Sequence, residues 1–311
     1  MVEADAAETG GRIAGGTARA PAARSAPARQ ETQGKKLEGT GPCEEETRGE
    51  EGIYPLAAAR RRPIWYDIRM APTRLDNWTI HHKTVTESTN LDARGGKPGD
   101  VFVADEQTAG RGRLDHTWIS SPGKNLMLSV VLDVGGISPQ EVTTLPLVVG
   151  LAAATATNLL LLLQTWIKWP NDILFDGRKL AGILCERHGD SVIAGVGINV
   201  NQKTFAPEIA LRATSLLQID GRERELEMVE RAFLRALAPF YDNWRQNGFA
   251  ALHPLVAAID ALKGKQVSVL QTDADPVPVS GLCGGIQNDG TLLVGGVPVF
   301  AGEAHVIRAR G

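Results

Sequence analysis

The stretch Ile167-Lys168-Trp169-Pro170-Asn171-Asp172-Ile173-Leu174-Phe175-Asp176-Gly177-Arg178-Lys179-Leu180-Ala181-Gly182-Ile183 decides the fold. Ile167-Lys168-Trp169 reads as a strand entering a turn at Pro170-Asn171-Asp172, because Pro presets a turn dihedral and Asn and Asp bond their own backbone. Asp176-Gly177 is a hairpin signal, since two-residue turns need residues that tolerate positive φ. Lys179 to Glu186 then returns as a strand. Hairpins join antiparallel neighbours, whereas parallel strands need a crossover of roughly a dozen residues or more. A hairpin here argues for an α+β chain with a mixed, largely antiparallel sheet, and against a doubly wound one.

Working outward, Val192 to Val200 is a further strand, interrupted by Gly195 and Gly197. Upstream, Val101 to Ala104 reads as a short buried strand and Asn125 to Leu132 as a longer one. Ser138-Pro139 supplies the N-cap and first position of a helix running through Leu163. Residues Leu145 to Leu163 are almost wholly apolar and near membrane-spanning length. Pro146, Gly150, Thr155, Thr157 and Asn158 interrupt the run, and basic or aromatic flanks on both sides are missing, so a buried core helix is expected. Downstream, Glu225 to Asn247 is helical, with Leu226, Val229, Phe233, Leu237 and Trp244 on one face. Short strands at 264–271, 279–283, 290–294 and 305–308, separated by Gly, Pro and Asn-Asp-Gly turns, predict a small C-terminal β-barrel of SH3 type.

Residues 1–75 differ: no aromatic occurs before Tyr54, and nothing is periodic enough to bury a core. A disordered extension is expected there, with Arg60-Arg61-Arg62 as a solvated linker. The predicted division is 1–75, then 76–261 as the main domain, then 262–311. The net charge of −3 over 311 residues argues against a nucleic-acid partner. The three cysteines, Cys43, Cys185 and Cys283, are widely spaced, which points to a reduced, cytoplasmic protein. The acidic start shows no secretory signal, and no membrane association is expected. No HExxH spacing is present, and His81-His82 has no nearby companion ligand.

Four segments carry chemistry. Ser88-Thr89-Asn90 is a run of small hydrogen-bonding side chains suited to a turn or an N-cap. Gln107-Thr-Ala-Gly110-Arg111-Gly112-Arg113, followed by Trp118, is a loop whose glycines admit an anion close to backbone N–H groups and whose arginines offer bidentate donors. In the third, Asp172 can hold a metal or orient an amine, Lys179 is a point charge for a phosphate, and Gly182 permits close backbone approach. The fourth, Gly195-Val-Gly197-Ile-Asn199-Val-Asn201, ends a glycine-interrupted strand in amides; a β-bulge is its plain alternative.

Together, and in this order, the segments resemble biotin–protein ligases over about residues 76–308. The motifs are Ser88-Thr89-Asn90, Gly110-Arg111-Gly112-Arg113, Lys168 to Asp172, Arg178 to Ile183, and Gly197-Ile198-Asn199. The resemblance implies a catalytic domain related to lipoate ligases and class II aminoacyl-tRNA synthetases, with the SH3-like domain behind it. It implies biotin contacts at Ser88, Thr89, Asn90, Gln107, Gly110, Arg111, Gly112, Lys179, Gly182 and Ile183. It implies Arg113, Trp118, Asn171 and Asn199 around ATP or the adenylate, and Arg113, Lys179 and Asp172 in catalysis. Implied partners are biotin, ATP with Mg²⁺, and a biotin carboxyl carrier protein. The metal would ride mainly on the ATP phosphates, with Asn171 or Asp172 as a further ligand. Leu114-Asp115 departs from the small residue or Gly usual after the Gly-Arg-Gly-Arg loop. No helix-turn-helix pattern stands in 1–75, so a short form without repressor activity is expected. The oligomeric state is open, a homodimer included. The rivals are a lipoate or octanoate ligase or transferase of the same fold, and a non-catalytic biotin-binding regulator; the latter predicts loss of Arg113 or Lys179, and both are present.

Overall fold

A computed structural model describes residues 77–114, 116–271 and 277–307. The expected extension at 1–75, Asp115, and Arg308 at the end of the last expected strand lie outside the described residues. Everything described belongs to one compact unit, 58–311.

Seven strands form the main sheet: β1 (Thr79–Thr86), β2 (Asp100–Gln107), β3 (Leu126–Asp133), β4 (Trp166–Lys168), β5 (Asp172–Phe175), β6 (Arg178–His188) and β7 (Ser191–Ile198). Their order is β1-β2-β3-β7-β6-β5-β4. Only the β1–β2 pair is parallel; the other five are antiparallel. The mixed, largely antiparallel α+β sheet is thus as the hairpin signals predicted. Strand β1 escaped the sequence reading because its side chains are exposed along nearly the whole strand, so no alternation marks it.

The helices are α1 (Thr89–Asp92), α2 (Pro139–Val142), α3 (Leu145–Leu161), α4 (Leu216–Asp220), α5 (Leu226–Asn247) and α6 (His253–Ala257). Helices α3 and α5 pack on each other and on one face of the sheet. The stretch Pro139–Leu161 is long and apolar enough to cross a membrane, but 83% of that window is buried inside the protein, as expected of a core helix. The single helix expected from Ser138 through Leu163 is in fact two. Ser138 caps α2 by accepting the Glu141 N–H, the chain turns at Thr143-Thr144, and α3 restarts with Pro146 in its first turn, where a missing N–H costs nothing. It ends at Leu161 because Leu162 turns left-handed (φ 57°) and the Asn158 carboxamide takes the Thr165 N–H and hydroxyl.

Side-chain alternation sets the two faces of the sheet. Leu126, Leu128, Val130 and Leu132 of β3, and Val192, Ala194, Val196 and Ile198 of β7, belong to the core beneath the helices. Met127, Ser129, Gly195 and Gly197 fall on the opposite face. The β-bulge alternative for Gly195 and Gly197 does not hold: β7 runs in unbroken register with both neighbours. The irregularity lies instead between β5 and β6, where Ile173 faces Ala181 but Leu174 faces Lys179. Leu180 and Ala181 are consequently both buried in the core, and Lys179 comes to the same face as Gly182.

A second sheet follows, of β8 (Gln266–Leu270), β9 (Val279–Ile286), β10 (Leu292–Val294), β11 (Val297–Val299) and β12 (Glu303–Val306), in order β11-β10-β9-β8-β12 and wholly antiparallel. The short Val-Pro-Val of β11 was not anticipated. The linker at Ile259 and Ala261 bonds the edge strand β4 through Ile167. The Trp169 indole (3.0 Å to the Gly290 carbonyl) fastens the second sheet to the end of β4, while the Asp260 carboxylate and His253 tie Ile286 of β9 to the linker and to α6.

Candidate active site

On the sheet face away from α3 and α5 lies a cleft of about 870 Å³ including its solvent-filled mouth. Its deep end is neutral and polar. Strand β1 ends at Thr86, and Ser88 stands at the N-cap of α1, although its side chain makes no cap hydrogen bond. Ser88, Thr89 and Asn90 are buried and line the cleft. Gln107, at the end of β2, accepts the Thr89 N–H at 2.8 Å. Ser129 Oγ sits 2.7 Å from Thr89 Oγ1 and donates to Asn90 Oδ1 at 2.6 Å. The Asn90 amide fits only because Gly195 lacks a side chain: a Cβ there would lie 2.2 Å from Asn90 Oδ1.

The glycine–arginine loop is a small hairpin. Trp118 N–H donates to the Gly110 carbonyl and Gly112 N–H to the His116 carbonyl. A Cβ on Gly110 would stand 2.5 Å from the Trp118 carbonyl oxygen, so the close crossing requires glycine. Leu114 adopts a left-handed conformation (φ 50°) at the position where the resemblance leads one to expect a small residue or Gly. Arg111 donates to Glu186 Oε1 at 3.0 Å. Trp118 lies on a flat patch made by Gly182 and Gly197, which face each other across β6 and β7. A Cβ on Gly197 would meet the indole at 2.5 Å. The Trp118 Nε1–H is buried without an acceptor.

The mouth is charged. Lys179 Nζ is 2.6 Å from Asp172 Oδ1 and 5.9 Å from the Trp118 ring centroid. Arg113 donates to Asn171 Oδ1 (3.3 Å) and to the Gly302 carbonyl of the second sheet (3.2 Å). Burial pulls its guanidinium below the ordinary arginine value, while Asp172 and Glu303 oppose that shift. Asn171 is pinned to β6 by its amide donating to the Ile183 carbonyl at 2.7 Å.

The cleft therefore gathers Ser88, Thr89, Asn90, Gln107, Arg111, Gly112, Arg113, Trp118, Asn171, Asp172, Lys179, Gly182 and Ile183. Two of the sequence candidates stand behind it. Gly110 closes the loop, and the buried Asn199 amide donates to the Lys179 and Thr214 carbonyls, bracing the strand that carries Lys179. Sequence reasoning missed Ser129, Glu186 and Glu303. Ser129 carried a signal, as the one hydroxyl within the apolar β3 (a buried polar group wants a partner). Glu303 carried none, because it arrives from the second sheet.

The profile of the Biotin/lipoate A/B protein ligase family matches residues 77–202. The chain is 37% identical over 177 residues to the bifunctional ligase/repressor BirA of Bacillus spizizenii, covering 55% of this chain and 53% of that one. It thus spans about half the length of that relative. It is 34% identical over 237 residues to the biotin–[acetyl-CoA-carboxylase] ligase of Mycobacterium tuberculosis, covering 72% of this chain and 87% of that one. Among solved structures, the biotin protein ligase from Aquifex aeolicus in complex with biotin and ATP superposes with a TM-score of 0.66 at 28% identity, over 74% of this chain and 99% of that one.

Proposed function

The chain belongs to the biotin/lipoate A/B protein ligase family, on its biotin–protein ligase side, and we propose that it joins biotin and ATP to biotinyl-5'-AMP and diphosphate, then passes the biotinyl group to a lysine of a biotin carboxyl carrier protein of acetyl-CoA carboxylase or a related carboxylase. The observation that carries this is the polarity of the cleft: buried neutral donors and acceptors at the deep end, paired cations at the mouth. Biotin needs both, a neutral bicyclic urea at one end and a carboxylate at the other. An octanoyl or lipoyl chain is apolar at the end that would enter first and would offer this buried polar floor no hydrogen-bonding partner, which disfavours the sister activity.

In this reading Ser88, Thr89, Asn90, Gln107, Arg111 and Gly112 face the biotin rings, with Gly182 and Ile183 along the chain. A carboxylate oxygen of biotin attacks the α-phosphorus, the bond to the β-phosphate oxygen breaks, and diphosphate leaves. Arg113 and Lys179 hold the two anions together and stabilise charge on the transferring group. Trp118 and Asn171 border the nucleotide, and Asn199 acts from behind the strand. Engaging the phosphate moves Lys179 off Asp172. The freed carboxylate can then orient the acceptor amine and take its proton as the nitrogen attacks the acyl carbon and AMP departs.

Among the described residues no group of three His, Cys, Asp or Glu gathers as a metal cage. We read Mg²⁺ as carried in on the ATP phosphates, with at most an Asn171 or Asp172 oxygen added. When bound it would screen phosphate charge. We further read the C-terminal sheet as the expected SH3-like barrel, the chain as dividing near residue 262, and the protein as cytoplasmic, with no nucleic-acid partner and with a homodimer open.

The test is incubation with biotin, Mg-ATP and a carrier domain, reading AMP release and carrier mass. A gain of one biotinyl group, lost in Lys179→Ala, supports the reading. A gain with lipoate or octanoate alone moves the assignment to the sister activity, and no transfer of any acyl group leaves a biotin-binding protein.

A further inference from the structure

Glu186 has no part in that scheme, and it lies outside the cleft lining. Its carboxylate nevertheless joins two segments that line it. Oε2 accepts the Asn90 amide at 2.6 Å, Oε1 accepts Arg111 Nη1 at 3.0 Å, and Arg94 Nη2 stands 4.0 Å away. Asn90 belongs to the buried floor, where its carbonyl is held by Ser129 in the space that Gly195 leaves. Arg111 belongs to the hairpin loop over the cleft. One carboxylate has enough lone pairs to serve both donors, and each bond is charge-assisted. Along β6, Glu186 is four residues beyond Gly182, so it stands roughly 13 Å from the Lys179–Asp172 end.

The geometry points to Glu186 as a positioning residue that clamps the loop to the floor: it fixes the orientation of Asn90 and, through the same carboxylate, holds Arg111 and its loop down on whatever the floor has bound. This rests on the proposal that the deep end takes biotin. The clamp serves ligand retention and leaves the reacting end alone, because none of Arg113, Lys179 and Asp172 bonds to Glu186. Outer groups of this kind act by orienting the residues that touch the ligand.

The conservative variant separates its two bonds. In Glu186→Gln the amide oxygen still accepts from Asn90, but the charge that holds Arg111 is gone. The expected result is a KM for biotin raised about five- to tenfold, with biotin dissociation faster by a similar factor and kcat unchanged. Combining Glu186→Gln with Arg111→Ala is expected to add nothing to Arg111→Ala alone, since both remove one contact. Biotin is first titrated into the wild-type protein: no binding there sinks the reading of the ligand and this role with it. Binding in the wild type with a KM in Glu186→Gln within twofold sinks the clamp alone. So does a fall in kcat at constant KM, or effects of the two substitutions that multiply. Glu186→Gln keeps the buried bond to Asn90, so it carries the test should Glu186→Ala fail to fold.

Discussion

The two ends of the cleft are held by opposite means. At the deep end Ser88, Thr89, Asn90 and Ser129 are each at most 4% exposed, and Thr89, Asn90 and Ser129 are bonded to one another and to Gln107. At the mouth the Lys179 side chain is 38% exposed and Asp172 17%, and each cation rests on a protein oxygen. The difference follows from what each end has to do. A neutral ligand gains from dipoles already in place, because a buried polar group that must reorganise loses a bond worth about 1 kcal/mol and can leave a partner stranded at about 1–3 kcal/mol. A charged reacting centre gains from cations that can change partner. An ion pair as exposed as Lys179–Asp172 is worth on the order of 0–1 kcal/mol, so phosphate can displace Asp172 at little cost. The deep end is built for recognition and the mouth for exchange.

Lys179→Met probes that division where the effect is largest. Removing the cation is expected to slow adenylate formation about 10²- to 10³-fold, the scale of losing one donor to a transition-state anion. Biotin affinity should change less than tenfold, because the floor is untouched. Single-turnover AMP formation and biotin titration read the two quantities separately, and loss of biotin binding alongside catalysis would break the division. Gly195→Ala is the mirror experiment. Its Cβ would displace Asn90 from Ser129 and Glu186, raising the KM for biotin by roughly ten- to a hundredfold for two bonds of about 1 kcal/mol each plus local strain. The kcat at saturating biotin should stay within about threefold. Gly197→Ala works two residues further along the same face of that strand by lifting Trp118 off the sheet. Its expected effect is a rise in the KM for ATP, about fivefold, with the KM for biotin nearly constant.

How much of this was legible depended on where the side chains point. Strands β3, β6 and β7 read correctly because their residues face a core, and the Asp176-Gly177 turn fixed the hairpin with both residues at positive φ (49° and 70°). Strand β1 was illegible because an exposed edge strand carries no inward pattern. Lys179 and Asp172 stood out as polar residues at the two ends of an apolar hairpin, and the structure pairs them. The bulge at Leu180 that turns Lys179 onto the cleft face left no compositional mark. Glu303 and Gly302 reach the mouth from more than a hundred positions away, and no local rule connects residues so distant. Asn199 was visible as an amide ending a strand, but its donors turn back to the Lys179 and Thr214 carbonyls, an orientation only the fold decides.

The smallest expected effect concerns Asp260, whose carboxylate ties the second sheet, which brings Gly302 and Glu303 to the mouth, to the linker that bonds the edge strand β4. Its two oxygens accept the Leu262 N–H at 2.8 Å and the Ile286 N–H at 2.9 Å. Burial pushes its carboxyl above the usual aspartate range, outweighing those bonds and the nearby Lys263. The folded protein therefore holds a proton there more readily than the unfolded chain does. The contribution of the group to stability is fullest below the unfolded value of about 3.9 and declines as pH rises through the folded value. Asp260→Asn is neutral at every pH but offers one oxygen for two N–H groups, at a cost of about 1–3 kcal/mol. Urea melts should show the variant less stable at pH 7, with the deficit growing as the pH falls and the wild type gains its proton. If the mouth alone depends on this fastening, kcat falls modestly in Asp260→Asn while biotin affinity holds. A loss of biotin affinity ahead of kcat would mean that the floor, too, leans on the second sheet, and that the two ends are less separate than their bonding implies.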